Sequence, residues 1–496
     1  MDRRKWLILS SVSVGTFMAT LDGSIVNISL PRIQEAFGVD LATVEWVVVG
    51  YLLVVGAVLL PFGRLGEVLT FKRVYLAGFA VFTVASALCG AAPTTEVLIL
   101  FRLLQGLGAG MLQAMGPAII ARTFGPGERG RALGINAISV SIGLSLGPVL
   151  GGLLTEVGSW RAIFLVNIPV GIFAIVWARR VLPAERPGEG QSFDVAGAAL
   201  SSIAVFALLL ALIDGQSWGW TSPATIGLLV AFVAFGAAFL VVESRAAQPM
   251  IDLGLFRIRA FSAGLASVII VFAGGFTATF LLPFLLEQGS GFTPLQAGLL
   301  LVPIPIMTAL VAPFSGSLSD RIGPRVPASL GVAIMAVGLL SLTQLPTAFA
   351  VPDLVWRLAL IGVGQGMFMS PNSSAVLGSV PRRRIGTASG TLAQARIDGQ
   401  ALGIAISGAI VAMRLPVHAA ALAGTMAPAA AAQAAFALAI HDAFIVAGIL
   451  CAFGIVTSAV RGQVGAPGRM PAPEIAIAPG GPPVPEPAPV REDAGI

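Results

Sequence analysis

Fourteen predominantly apolar stretches, each about 20 residues or longer, follow one another along the 496-residue chain. They run over about 6–30, 45–63, 74–92, 96–121, 131–155, 162–182, 194–213, 224–243, 260–286, 295–318, 326–345, 353–376, 385–412 and 440–461. At 1.5 Å rise per residue, about 20 residues cross a hydrocarbon layer roughly 30 Å thick as a helix. Backbone groups in hydrocarbon must be paired internally, which leaves helices or a closed barrel. Barrel strands alternate apolar and polar residues over short segments, and these runs do not. Only 11% of the residues are charged, against roughly 25% in soluble domains, and the 59 Gly and 33 Pro suit packed membrane helices. The expected fold class is an all-α polytopic membrane protein with 14 transmembrane helices.

A net charge of +5 and a pI near 10 invite a nucleic-acid reading. The basic residues argue otherwise, because they fall in small groups between the apolar runs, where they act as topology signals. Starting inside, alternate loops and the two termini carry 23 of the 29 Lys and Arg residues. Both termini are therefore expected in the cytoplasm. Arg3-Arg4-Lys5 before an apolar stretch imitates a secretory leader, but the stretch runs on to Asp22 and Pro31 and reads as a retained first helix. Cys89, Cys451, His418 and His441 are too few and too scattered for a metal cluster or a disulfide framework. No metal and no cofactor are expected. The Ala-rich segment 413–439 reads as an outer loop with room for a surface helix. From Gly462 onward, Pro, Gly and Ala dominate and a disordered cytoplasmic tail is expected.

Internal similarity organises the spans. Gly63-Arg64-Leu65-Gly66-Glu67 after the second span resembles Gly316-Ser317-Leu318-Ser319-Asp320-Arg321-Ile322-Gly323 after the tenth. Arg102-Leu103 with Gly106, Gly110 and Met111 returns as Arg357-Leu358 with Gly362, Gly366 and Met367, at an offset of about 255 residues. Two homologous six-helix halves then bracket spans seven and eight, which read as an insertion. The expected division is 1–186, 187–250, 251–461 and a tail, 462–496. Duplicated helical halves are a recurring plan of secondary transporters, with the substrate site at their interface.

Leu21-Asp22-Gly23-Ser24-Ile25-Val26-Asn27-Ile28-Ser29-Leu30-Pro31 resembles the first-helix signature of the fourteen-helix drug:proton antiporters of the major facilitator superfamily. Three stretches reinforce this: Arg102 with Gln105, Gly106 and Gly108; Gly143 with Gly147-Pro148 and Gly151-Gly152; and Trp160 through Gly171 entering the sixth span. The resemblance covers nearly the whole chain before the tail. It implies the major facilitator fold, proton coupling at the position of Asp22, and an association of the glycine-rich fifth helix with export.

The residues support such chemistry independently. Asp22 sits about 24 Å from Trp6 along the first span, and a carboxylate in hydrocarbon usually faces a polar cavity and a partner. Arg102 lies at a similar depth, roughly 10 Å below the outer start of its helix, so the two can pair. A guanidinium stays charged, leaving the carboxylate to titrate. Arg396 and Asp398 fall about 16 and 20 Å beyond Ile385. Two residues apart, they need not face each other. Asp398 occupies a place that is more often apolar in the family and is a candidate second proton site or contact for cationic compounds. Asp22, Arg102 and Asp398 are thus the coupling candidates, and Asn27, Gln105, Gln113 and Arg396 the candidates for lining a substrate cavity.

For conformational change, the candidates are Gly63, Glu67, Gly143, Gly147, Pro148, Gly151, Gly152, Asp320, Arg321 and Gly323. The loop acids can hold basic neighbours and the positive N-terminus of a facing helix. Glu67 stands where the family has an aspartate, which keeps the charge and lengthens the arm. Glu287-Gln288 is read as an ordinary helix end, and His441-Asp442 as the cap of the last helix.

The expected function is proton-driven export of amphipathic, drug-like or toxic compounds across the inner membrane by alternating access. Expected partners are that substrate, protons and the lipid bilayer, with no nucleic acid, and the chain is expected to be a monomer. The alternatives are export of a native metabolite or lipid and, further off, a polytopic membrane enzyme. The latter needs convergent acids, bases or metal ligands on loops, which short loops with almost no His do not offer. Without a phosphate-binding Gly-Lys-Ser/Thr motif, direct ATP drive is not expected either.

Overall fold

A computed structural model of the chain describes residues 3–39, 41–157, 159–184, 193–246, 249, 251–286, 291–292, 294–346 and 349–460. Every long element among them is a helix. The first six spans are α1 (Arg3–Phe37), α2 (Leu41–Val68), α3 (Phe71–Gly90), α4 (Thr95–Thr123), α5 (Arg129–Val157) and the pair α6 (Ala162–Leu165) and α7 (Asn167–Val181). A hairpin follows, α8 (Val195–Trp218) and α9 (Pro223–Arg245). The last six spans are α10 (Arg259–Phe284), the pair α11 (Pro294–Leu301) and α12 (Pro303–Ile322), α13 (Arg325–Leu342), α14 (Val351–Gly378), α15 (Ile385–Leu422) and α16 (Pro428–Ala459).

Both broken spans have a proline cause. Pro169 has no N–H to return to the carbonyl of Leu165, the last residue of α6, and Pro303 has none to return to the carbonyl of Leu299 in α11, which takes the Val302 N–H instead. Counting each pair as one, the described residues form fourteen membrane-length segments. Twelve helical stretches are apolar enough over their length to cross a membrane. Of the other two, α14 carries a charged first turn and buried polar residues such as Asn372, and α5 is as long but contains positions whose side chains lie outside the described residues.

One expectation fails at the C-terminal end of α15. Segment 413–439 is not a loop: α15 continues to Leu422, α16 begins at Pro428, and only five residues separate them. Alanine is the strongest helix former, so the low apolarity that argued against a span did not argue against a helix. Arg414 Nε and His418 Nε2 reach Asp442 Oδ2 at 2.5 and 2.8 Å, tying the extension to α16. Asp442 is consequently mid-helix, a partner to α15 rather than a cap.

Within the first six spans, α1 packs on α4, α5 and α7, while α3 packs on α4 and α7. Within the last six, α10 packs on α15 and α16, and α14 on α12 and α13. The two sets meet along α5 with α12 and along α2 with α15. The α8–α9 hairpin leans on that second seam, where Leu209 of α8 and Ile397 of α15 converge on Gly56 of α2. By contrast, α9 leaves Val230, Val233 and Leu240 exposed, an apolar face suited to acyl chains rather than water.

Candidate functional site

Asp22 is wholly buried on α1, and three side chains from two other helices donate to it. Arg102 Nη1 of α4 reaches Oδ2 at 2.6 Å, Gln105 Nε2 of α4 reaches Oδ1 at 2.8 Å, and Asn167 Nδ2 of α7 reaches Oδ1 at 2.8 Å. Both oxygens act as acceptors, the pattern of an ionised carboxylate. Spacing on α4 explains the convergence, since Arg102 and Gln105 are three apart and share a helix face.

Each donor is held in turn. Arg102 Nε donates to the Val47 carbonyl of α2 at 2.8 Å, and Nη1 also reaches Gln105 Oε1 at 2.7 Å. Its guanidinium lies 4.1 Å from the centroid of the Tyr51 ring, a stacking that a planar cation favours. Gln105 Nε2 additionally donates to Ser86 Oγ of α3 at 2.8 Å. Five of the first six spans therefore contribute to one buried polar network around a single acid.

The expected pairing of Asp22 with Arg102 is present, and Gln105 belongs to the same site rather than to a separate cavity wall. Asn167 was not singled out among the sequence candidates. Its signal was there: it is the one amide in the apolar run Ala162–Ala174, where a polar side chain needs a partner. Gln113 stands two turns further along α4, half-buried and outside the network. The Asn27 side chain lies outside the described residues.

Arg396 and Asp398 do not pair. Arg396 Nη2 donates to Ser373 Oγ of α14 at 2.7 Å, whereas Asp398 accepts from Gln394 Nε2 on its own helix at 2.7 Å. No cation among the described residues sits on Asp398. Near Arg396, both polar atoms of the fully buried Asn372 side chain and Arg396 Nε lack partners among the described residues. The last six spans thus hold polar groups that the protein itself does not satisfy.

At the end of the bundle that carries the repeated loop motifs, each acid grips a facing helix. Glu67 of α2 accepts the Thr387 N–H of α15 at 2.7 Å and the Arg64 guanidinium at 2.8 Å. Asp320 of α12 accepts the N–H groups of Gly130 and Arg131 of α5, each at 3.0 Å. Both acids sit on helix N-termini, where negative charge is stabilised. Such an approach needs bare backbone: a Cβ on Gly63 would fall 2.6 Å from the Gly386 carbonyl, and one on Gly130 2.6 Å from that of Gly316.

On α5, Gly143 and Gly147 lie against α1, where an added Cβ would strike Leu21 and Thr20 or Ser24. Ser24 Oγ donates to the Gly143 carbonyl at 3.0 Å. Gly151 is buried on the same helix; the Pro148 side chain and Gly152 are outside the described side chains. Gly323 ends α12 with φ of +87°, a left-handed turn suited to glycine, while Arg321 beside it is exposed. Arg186, Glu287-Gln288 and the tail from Gly462 fall outside the described residues.

The family model described as Major Facilitator Superfamily matches residues 12–403. The chain is 35% identical to the "Riboflavin transporter RibZ" of Clostridioides difficile, over 83% of this chain and 90% of that one. It is 35% identical to the "Multidrug resistance protein Stp" of Mycobacterium tuberculosis, over 83% and 77%. With the "Tetracenomycin C resistance and export protein" of Streptomyces glaucescens it shares 33% identity over 83% and 77%. Among solved structures, the human organic anion transporter MFSD10 (TETRAN) matches at a TM-score of 0.62 and 15% identity, covering 90% of this chain and 99% of that one. The proton:xylose symporter XylE matches at 0.61 and 11% identity, covering 92% and 95%. These two likenesses concern the fold. Duplicated helical halves meeting along α2 with α15 and α5 with α12, together with the match over residues 12–403, establish that the chain belongs to the major facilitator superfamily of membrane transporters.

Proposed function

We propose that this transporter is a proton-coupled antiporter exporting amphipathic, drug-like or toxic compounds across the inner membrane, with both termini in the cytoplasm. One observation carries the reading: a buried carboxylate, Asp22, whose donors come from helices other than its own. While α1, α4 and α7 keep this arrangement, the carboxylate needs no proton. A shift of α4 or α7 against α1 removes donors from a group with no access to water, and a buried carboxylate short of partners takes up a proton. Proton binding and helix movement are then linked, and a substrate that favours the other arrangement is linked to both. The names of Stp and of the tetracenomycin exporter support drug-like cargo.

In this reading the loop end of the bundle is the cytoplasmic gate. Glu67 on Thr387 and Asp320 on Gly130 and Arg131 hold it shut, and release of both is required for loading from inside. The halves that move are residues 1–186 and 251–461, with 187–250 carried as an inserted hairpin. The likeness to RibZ favours a second cargo reading, a native metabolite.

The test uses purified full-length protein in liposomes. An imposed pH gradient should drive uptake of a labelled cationic dye against its concentration, without nucleotide, and dye addition should release protons. Transport insensitive to the gradient and to protonophore would reject proton coupling.

A further inference from the structure

The two halves treat their deep arginines differently. In the first, Arg102 is answered by the carboxylate of Asp22. In the second, Arg396 of α15 donates through Nη2 to the Ser373 hydroxyl of α14 at 2.7 Å, and its Nε has no acceptor among the described residues. Asp398, two positions on, accepts from Gln394 instead, and no acid among the described residues pairs with Arg396. A guanidinium stays charged inside a protein, and a cation at membrane depth is kept where it faces a polar cavity or meets a counter-charge. One hydroxyl does not supply that charge.

The position of Arg396 places it between the halves. Ser389, about two helical turns earlier on α15, donates across the seam to the Ala114 carbonyl of α4 at 2.7 Å. Arg396 repeats that face about 10 Å further from the gate end, where it is half-buried, and in a carrier of duplicated halves this is where cargo binds. Its surroundings fit an acid on an apolar body. The Phe272 ring of α10 has its centroid 6.0 Å from the guanidinium carbon. On α14, Asn372 directly precedes Ser373; it is wholly buried, and neither Oδ1 nor Nδ2 has a partner. Oδ1 lies 3.6 Å from where a Cβ on Gly264 would sit, so the amide is on the side of α14 that faces α10. Native proteins pair nearly all such groups, and an open amide one residue from the arginine's anchor is a second sign of a ligand.

We infer that Arg396, with the Asn372 amide beside its anchor, is the recognition site for an acidic group of the cargo, a carboxylate or ionised phenol carried on an apolar, ring-bearing body. The guanidinium edge that Ser373 does not use offers donors in a fixed fork to such a group, and Asn372 adds a donor and an acceptor. Naming the anion as cargo rests on the export reading above. Residues two apart on a helix point to different sides, so Asp398 does not compete for the guanidinium. Compounds with a free acid then bind more tightly than the same compounds with that acid capped.

The experiment measures equilibrium binding of two dyes with one body by purified full-length protein: rhodamine B, whose carboxylate is free, and its ethyl ester, in which the acid is capped. A hydrogen bond to a charged group changes affinity by about tenfold or more, so wild type should bind the acid about tenfold more tightly than the ester. Arg396→Gln should abolish that preference by weakening the acid while the ester keeps its affinity. Asn372→Leu exchanges an unpartnered amide for an apolar group of similar size, a change that is close to neutral for folding, and serves where Arg396→Gln does not express; it should narrow the preference, and an unchanged preference there overturns the share given to Asn372. Equal wild-type affinity for the two dyes, with the open polar atoms met by water alone, overturns the inference. So does a preference that survives Arg396→Gln, or an equal loss of both dyes in that variant, which marks a residue needed only for packing. Binding is read without a gradient, so failure of proton-driven antiport leaves this measurement untouched and the two readings fail separately.

Discussion

Glu67 on α2 and Thr387 on α15 are 320 positions apart in sequence, yet the carboxylate accepts the Thr387 N–H at 2.7 Å. The longer arm of a glutamate is what permits this, because the same side chain also takes the Arg64 guanidinium at 2.8 Å. Asp320 makes the matching contact with α5 through a shorter arm and two N–H groups. The two latches are related in position but not in donors, and they need not be equally strong.

Glu67→Gln tests the first latch. A hydrogen bond to a charged group contributes about 1.5–3 kcal/mol, so loss of the charge should shift the gate equilibrium toward opening by roughly ten- to a hundredfold. Accessibility of a single cysteine placed at Gly390, which packs behind the gate against Leu59, would be awkward to read in so tight a place; Thr391, one residue on and half-buried, is the better reporter. Its labelling by a membrane-impermeant maleimide added from the cytoplasmic side should rise in Glu67→Gln. Unchanged labelling would mean that Asp320 alone holds the end shut.

Asn167→Ala probes a residue that the primary structure displayed without marking. The substitution removes the only donor that α7 gives to Asp22, at a cost of about 1.5–3 kcal/mol for a bond to a charged acceptor. Gradient-driven transport should fall by about tenfold or more while insertion and detergent-solubilised yield hold. Recovery in Asn167→Gln would show that the amide, not the packing, is needed.

How far these features were legible depends on what each one rests on. The spans were legible because hydrocarbon thickness sets a length that apolar runs either reach or do not. Asp22 with Arg102 was legible from depth alone, since both helices count residues from a membrane edge. The reach of Arg396 to Ser373 was not, because helix rotation about its axis decides it and spacing along one helix is silent on neighbours. Asp442 was misread as a cap because the first turns of α16, residues 428–439, are built mostly from alanine, whose helix preference leaves no strong apolar signature. Glu67 was legible as a charged loop acid, but only the fold shows that its extra methylene lets it serve Arg64 and Thr387 together.

Asp398→Asn addresses recognition. The carboxyl has Gln394 on its own helix and no cation among the described residues, so a cationic substrate can act as its counter-charge. Asparagine keeps the size and removes the charge. Export of monocationic dyes should drop by about tenfold, the order expected for one lost charged contact, while neutral compounds keep their rates. Equal losses for both classes, measured in the same cells at matched expression, would assign Asp398 to coupling or folding instead.

Asp22→Asn is the decisive substitution for coupling. Asparagine fills the same space, and one oxygen can still accept from Arg102 or from an amide, but its NH₂ turns a donor toward Gln105 and Asn167, which already donate. It also cannot exchange a proton. Uphill, gradient-driven export should be abolished, whereas downhill exchange of labelled for unlabelled substrate should persist, because exchange needs movement of the loaded carrier and no net proton transfer. Arg102→Ala should impair both, since it strips the guanidinium that joins Asp22, Gln105, Val47 and Tyr51, and breaking a buried ion pair costs about 3–5 kcal/mol. Arg102→Lys keeps the charge but has no planar face for Tyr51 and no fork to span three acceptors, so it should recover yield ahead of transport. The assay is proteoliposome uptake with and without an imposed pH gradient, at matched protein per lipid. Wild-type uphill rates in Asp22→Asn would take Asp22 out of the coupling mechanism and move the search to Asp398.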